Sequence, residues 1–159
     1  MGVNATAQRK LLPDTILYAF SEKYPTATDV KYKAKKVDYQ IRFIDEEHQR
    51  AAIYSYLGRW IRTETTLKKK EIPEKVNNVL EMKHPNGYYT SGIMIELSNG
   101  RKYYQASLDS PNAILSIEID ESGKILKTEK HEKQKIPPLP KTSKTDGGEK
   151  MDNLHNTYN

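Results

Sequence analysis

The chain has 159 residues, no cysteine, and 26 Lys and Arg against 21 Asp and Glu, for a formal net charge of +5. That excludes disulfides, thiolate catalysis and cysteine-ligated metal, and no apolar run approaches the roughly 18 residues a membrane-spanning helix requires. With 36% hydrophobic residues and a mean hydropathy of −0.83, the sequence can bury one modest core, and part of it is expected to stay unpacked.

The opening MGVNATAQRK has no hydrophobic signal core, although Ala5-Thr6-Ala7 has the small residues of a cleavage region. Residues 1–10 read as a flexible N-terminus, either frayed or left after removal of an export signal, the signal peptide itself being absent from this sequence. LPDTILYAFSEKYP then places Pro13 and Pro25 around a short helix. Proline suits a first turn, where its missing amide hydrogen costs nothing, and a later proline drives its predecessor out of the helical region. Leu12, Ile16, Ala19 and Phe20 form its apolar stripe.

Four strands are predicted next, at 30–36, 37–43, 50–56 and 59–65, from their β-branched and aromatic content. Alternation is clearest in the second, with Val37, Tyr39, Ile41 and Phe43 on one face and Asp38, Gln40 and Arg42 on the other. Asp45-Glu46-Glu47-His48 supplies a polar turn and Leu57-Gly58 a tight one. Lys68 to Glu71 is a charged seam without periodicity.

Sixty residues after the first helix, IPEKVNNVLEMKHP repeats its plan, with Ile72, Val76, Val79 and Leu80 as the stripe and Pro73 and Pro85 as the brackets. Strands are predicted again at 88–97, 101–108, 113–120 and 124–130, and Asn99-Gly100 reads as a type I′ hairpin turn. The ends also correspond, GRWIRTE against GKILKTE, which sets Trp60 against Ile125. The expected fold is therefore α+β: two tandem helix-plus-four-strand repeats, 11–67 and 71–130, forming an antiparallel sheet with helices packed on one face and sharing one apolar interior. Residues 131–159 contain few large apolar side chains and read as a disordered tail, in which Pro137-Pro138-Leu139-Pro140 serves as a spacer.

Chemistry is sparse. His48, His84, His131 and His155 have no partner at metal-ligand spacing, no serine sits in a nucleophile elbow, and no glycine-rich phosphate loop is present. Acidic pairs such as Glu46-Glu47 and Asp120-Glu121 fall in turns or at strand ends. The expectation is no catalytic residue, no metal and no cofactor. Acids interspersed among the basic residues argue against nucleic acid as a partner.

Eleven tyrosines against two phenylalanines and one tryptophan are less ordinary. Adjacent pairs such as Tyr103-Tyr104 must send one ring to each face of a sheet. Tyr32, Tyr54, Tyr56, Trp60, Tyr103 and Tyr104, with the lysine stripe Lys31, Lys33 and Lys35, are the candidate binding residues for a protein or peptide, tyrosine being favoured at contact surfaces. The competing reading is that tyrosine is simply a good strand residue.

The segments LPDTILYAFSEKYPTATDVKY, Tyr39 to Phe43 and AAIYSYLGRWIRTET resemble the PepSY-like proteins, secreted or periplasmic proteins common in Bacteroidetes and related in fold to the β-lactamase-inhibitor protein. The likeness spans roughly residues 11–130; His84 for Tyr24, Ile125 for Trp60 and an unusual Asn86-Gly87 mark the departures of the second copy. The resemblance implies two helix-plus-four-strand units, a periplasmic or secreted address and inhibitory or binding activity, and it brings no catalytic residues. The function expected is a non-enzymatic, extracytoplasmic binding module working as a monomer through an open sheet face; the alternative is an envelope sensor of a small ligand or glycan.

Overall fold

A proline precedes each helix in the computed structural model, which describes residues 11–134. Helix α1 (Asp14–Lys23) follows Pro13 and helix α2 (Glu74–Lys83) follows Pro73, with proline φ angles of −58° and −54°. The Pro13 carbonyl accepts from the amides of Ile16 and Leu17, both at 3.0 Å. Each helix has an acid in its first turn and a lysine in its last, which suits the helix dipole. Ten residues are too few to be helical alone in water, so both helices depend on docking their apolar stripes.

The eight strands are β1 (Thr28–Ala34), β2 (Asp38–Asp45), β3 (His48–Ser55), β4 (Trp60–Leu67), β5 (Tyr88–Leu97), β6 (Lys102–Asp109), β7 (Ala113–Asp120) and β8 (Ile125–Glu132). They form one antiparallel sheet in sequence order, with α2 inserted between β4 and β5. The last strand runs two residues past 130, pairing Glu132 with Ala113, so His131 and Glu132 belong to the sheet and not to the tail. The expectations for residues 1–10 and for the tail beyond residue 134 lie outside the described residues.

Register decides which face every side chain occupies. Tyr39, Ile41 and Phe43 pair with Tyr54, Ala52 and Arg50; Ala52 and Arg50 pair with Thr63 and Thr65; those threonines pair with Glu96 and Met94; and Met94 leads through Tyr104 to Ile119. Paired residues point the same way, so α1 and α2 cover the same face.

Under the helices lie two apolar clusters, not the single interior expected. Ile16, Phe20 and Tyr24 of α1 and its end pack on Tyr39, Ile41, Phe43, Ala52 and Tyr54. Ile72, Val76 and Leu80 pack on Tyr104, Ala106, Leu108, Ile117 and Ile119. What parts them is the polarity of the middle strands: β4 presents the buried Thr63 and Thr65 to the helix side, and β5 presents Glu96 beside Met94. Thr63 is satisfied by the Tyr24 hydroxyl and by the indole N–H of Trp60, which donates at 2.9 Å.

Turn chemistry also differs from expectation. Asn99-Gly100 is not a type I′ turn: Gly100 alone has positive φ, +80°, and its amide donates to the Leu97 carbonyl at 2.9 Å. Gly58 and Gly123 recur in the same three-residue loop, with φ of +80° and +90°. The two-residue turn with both φ angles positive is Glu46-Glu47, at +48° and +64°, closed by the pair Asp45 and His48. Glutamate hides that geometry because neither residue is one that favours the left-handed region.

The two edges of the sheet are β1 and β8. The first is broken by an irregularity between Thr28 and Lys31, with Asp29 at φ +50°. The last is charged on both faces, with Lys127 paired to Glu129 at 2.7 Å.

Phe20 is 4% exposed and meets Phe43 edge-on at 4.9 Å between ring centres. Phe20→Ala should cost about 3–5 kcal/mol in denaturant unfolding, whereas Tyr18→Ala on the exposed side of the same helix should change stability by less than about 0.5 kcal/mol. Glu47→Gly should raise stability by roughly 0.5–1 kcal/mol by relieving the left-handed backbone, readable as a higher denaturant midpoint at unchanged slope.

Candidate functional site

The face opposite the helices carries the alternate residue of every strand. Lys31 and Lys33 lie opposite Arg42 and Gln40; Arg42 and Gln40 oppose Ala51 and Ile53; and those oppose Glu64 and Arg62. The rows continue through Ile95 and Leu97 on β5, then Tyr103 and Asp120. Among the described residues no helix covers this face, yet Ile53 is only 1% exposed and Ile95 only 7%. Long neighbours in register, Gln40 and Arg62 beside Ile53 and Glu64 beside Ile95, account for that shielding. At the centre the Arg62 Nε donates to the Glu64 Oε1 at 2.9 Å.

Charge on the face is graded. Lys31, Lys33 and Arg42 make the β1–β2 end basic, and Glu118 and Asp120 make the β7 end acidic. A shallow hollow of about 430 Å³ runs from Lys31 and Arg42 past Gln49 and Ala51 to Glu64 and Ile93, and another of about 420 Å³ touches Leu97, Arg101, Tyr103, Glu118, Asp120 and Leu126.

Of the nine residues singled out from sequence, three stand here: Lys31, Lys33 and Tyr103. Tyr54 is 1% exposed beneath α1, and Tyr104 is buried beneath α2. Both belong to the core because they fall in phase with the apolar residues of their strands. Trp60 is half-buried on the helix side, where the Lys23 Nζ sits 3.7 Å from its ring centre. Tyr32 pairs with Ile41 and so faces the helix side, beyond the reach of α1 at the sheet edge. Tyr56 packs edge-on against Tyr39 at 5.0 Å and donates to the Lys35 carbonyl, closing the end of the sheet; Lys35 itself lies in the β1–β2 turn, past the end of β1.

Sequence reasoning missed Arg42, Ile53, Arg62, Glu64 and Ile95. The alternation of β2 had already put Arg42 opposite the core. The runs AAIY in β3 and GIMI in β5, apolar on both faces, were the available signal for Ile53 and Ile95.

Other polar groups serve the fold. Asp45, 6% exposed, accepts from the Thr26 hydroxyl at 2.6 Å and pairs with Arg50 at 3.1 Å, tying the α1–β1 loop down. Asp120 accepts from Ser122 and from the Lys124 amide in its turn, and those hydrogen bonds hold its carboxyl below the ordinary carboxylate range. His48 lies 3.3 Å from Glu71. Among the described residues no group of three or more His, Asp or Glu converges as a metal site.

Burial pushes the Tyr54 hydroxyl far above its ordinary value of 10, and burial likewise raises Tyr24 and Tyr104. Among the described residues the Tyr54 hydroxyl has no hydrogen-bond partner, whereas that of Tyr24 meets Thr63. Tyr54→Phe should therefore be neutral or stabilising by up to about 1 kcal/mol, while Tyr24→Phe should cost about 1 kcal/mol, both read from chemical denaturation.

No family model and no curated protein matches this sequence. Solved structures do. A DUF2874 family protein from Bacteroides uniformis superposes with a TM-score of 0.71 at 15% identity, covering 76% of this chain and 90% of that one. A "putative periplasmic" protein from Bacteroides eggerthii gives 0.70 at 17% identity, covering 76% and 89%. A BLIP-like protein from Bacteroides fragilis gives 0.69 at 18% identity, covering 83% and 96%. The chain has the BLIP-like fold. At these identities the likeness is one of fold alone.

Proposed function

We propose that the protein is a non-enzymatic, extracytoplasmic binding module that holds a protein or peptide across the helix-free face of its sheet. The observation that carries the reading is the Arg62–Glu64 pair, set over the shielded Ile53 and Ile95 at the centre of a face that neither helix covers. Arginine and tyrosine set in a shielded apolar surround are the usual energetic anchors of an interface, with lysines at the rim. The graded charge would fix the orientation of a partner whose own ends carry the opposite signs. The fold shared with BLIP-like and periplasmic-type proteins supports both the binding role and the address. The same fold supports descent by duplication of a helix-plus-four-strand unit and kinship with PepSY-like proteins, since the succession of one helix and four strands occurs twice.

Affinity capture from envelope extract tests the reading. The wild-type chain should retain a partner that the Arg62→Ala/Tyr103→Ala double variant retains at least about tenfold less well, as loss of a central anchor predicts. Tyr18→Ala, on the opposite side, should capture normally. Equal recovery by all three chains would sink the assignment.

A further inference from the structure

The helix side of the sheet holds a second feature, in the C-terminal half. Around the end of α1, Phe20, Tyr24 and Phe43 touch one another, with ring centres 4.6–5.5 Å apart. Around the end of α2 the corresponding positions are Leu80, His84 and Leu108: the same helical turn, the same residue before the closing proline, and the same helix-facing site on the second strand. Three rings have become two leucines and an imidazole. Beside them, between α2 and β5, lies a cleft of about 350 Å³.

Leu80 and Leu108, both buried, line its interior. The backbone at Gly87 presses on that floor, since a β-carbon there would stand 3.1 Å from Leu108. Tyr89 makes the far wall. Its hydroxyl donates to the Leu67 carbonyl at 3.0 Å, and its ring lies over Gly92, where a β-carbon would collide with that hydroxyl. At the mouth Lys69 pairs with Glu81 at 3.6 Å, and the Asn77 amide donates to the same carboxylate at 3.0 Å. These rim groups compensate one another. The half-buried His84 imidazole has no hydrogen-bond partner among the described residues, and it offers the cleft an uncharged polar edge beside the leucines.

We infer that this cleft binds a para-hydroxyphenyl group, presented either by a free monocyclic phenol or by a tyrosine side chain of a peptide. The cleft has room for one ring with a substituent, and the leucine floor takes its apolar body. A phenolic hydroxyl complements an imidazole, which offers both a donor and an acceptor. Lys69 and Glu81, 3.6 Å apart at the exposed mouth, set one charge of each sign there, so neither sign of ligand is singled out. The cleft and the helix-free face lie on opposite sides of the sheet, so each assignment fails or stands without the other.

The test is an NMR titration of the isotope-labelled full chain with p-cresol, toluene and N-acetyltyrosinamide. Expected are saturable shifts at the amides of Gly87, Tyr89 and Leu108 with p-cresol, a Kd in the micromolar to millimolar range, and binding of toluene about fivefold weaker for want of the hydroxyl. His84→Ala should bring p-cresol down to the level of toluene while leaving the rest of the spectrum in place, and Leu80→Phe should close the cleft to all three. N-acetyltyrosinamide binding at least as tightly as p-cresol would identify a peptide side chain as the ligand; p-cresol binding alone would identify a free phenol. Absence of saturable shifts at these amides, equal affinity for p-cresol and toluene, or indifference to His84→Ala would overturn the inference. Should Leu80→Phe fail to fold, the His84→Ala comparison decides by itself.

Discussion

The ladder between β4 and β5 is the bond on which the molecule's unity rests. Each half buries its own apolar cluster beneath its own helix, and between the clusters the sheet offers threonines and a glutamate to the helix side, so packing does not fuse them. Six registered pairs, from Arg62–Leu97 to Leu67–Gly92, do so instead. Because a ladder fixes the facing of every residue it joins, one strand contact sets the phase of the C-terminal half relative to the first, and a slip by one residue would turn Leu108 and Ile117 out to solvent.

That coupling explains why the two faces differ so much in kind. On the helix side, burial selects large rings and aliphatics at alternate positions; on the other, the same strands carry arginines, lysines and acids around a narrow apolar strip. Few residues are indifferent to which face they occupy. Arg62 and Glu64, two apart on β4, share the helix-free face, while Thr63 between them serves Tyr24 and Trp60. The proposed binding face and the core are thus interleaved residue by residue along one strand.

The fold was legible wherever the sequence carried a local constraint. Pro13, Pro25, Pro73 and Pro85 marked the helices, because a proline's effect on its neighbours needs no tertiary context. Strand positions followed from β-branched and aromatic content, and the alternation of Val37, Tyr39, Ile41 and Phe43 gave the buried face of β2 except at Val37, which precedes the strand and is exposed. What escaped was phase. Tyr54 and Tyr104 were picked for their chemical type, but Tyr54 pairs with Tyr39 and Tyr104 with Ile119, and each shares the burial of its partner. Two separate clusters escaped as well, since the inward polarity of Thr63 and Thr65 takes meaning only once β4 is known to be central. The turn at Asp45 to His48 was legible from its polarity, but its left-handed backbone was not, since neither Glu46 nor Glu47 is a glycine; there the pairing of Asp45 with His48 imposes the backbone against local preference.

A sheet that does not close on itself leaves two rows of unsatisfied amides and carbonyls, an invitation to stack molecule upon molecule into fibres. Here the first row is kinked at Asp29 and guarded by Lys31 and Lys33, and the last alternates lysine with glutamate on both sides, so that an incoming strand would have to strip water from ions with no assured counterpart. Among the described residues the sheet can therefore leave one broad face without a covering helix and still not become a seed for aggregation.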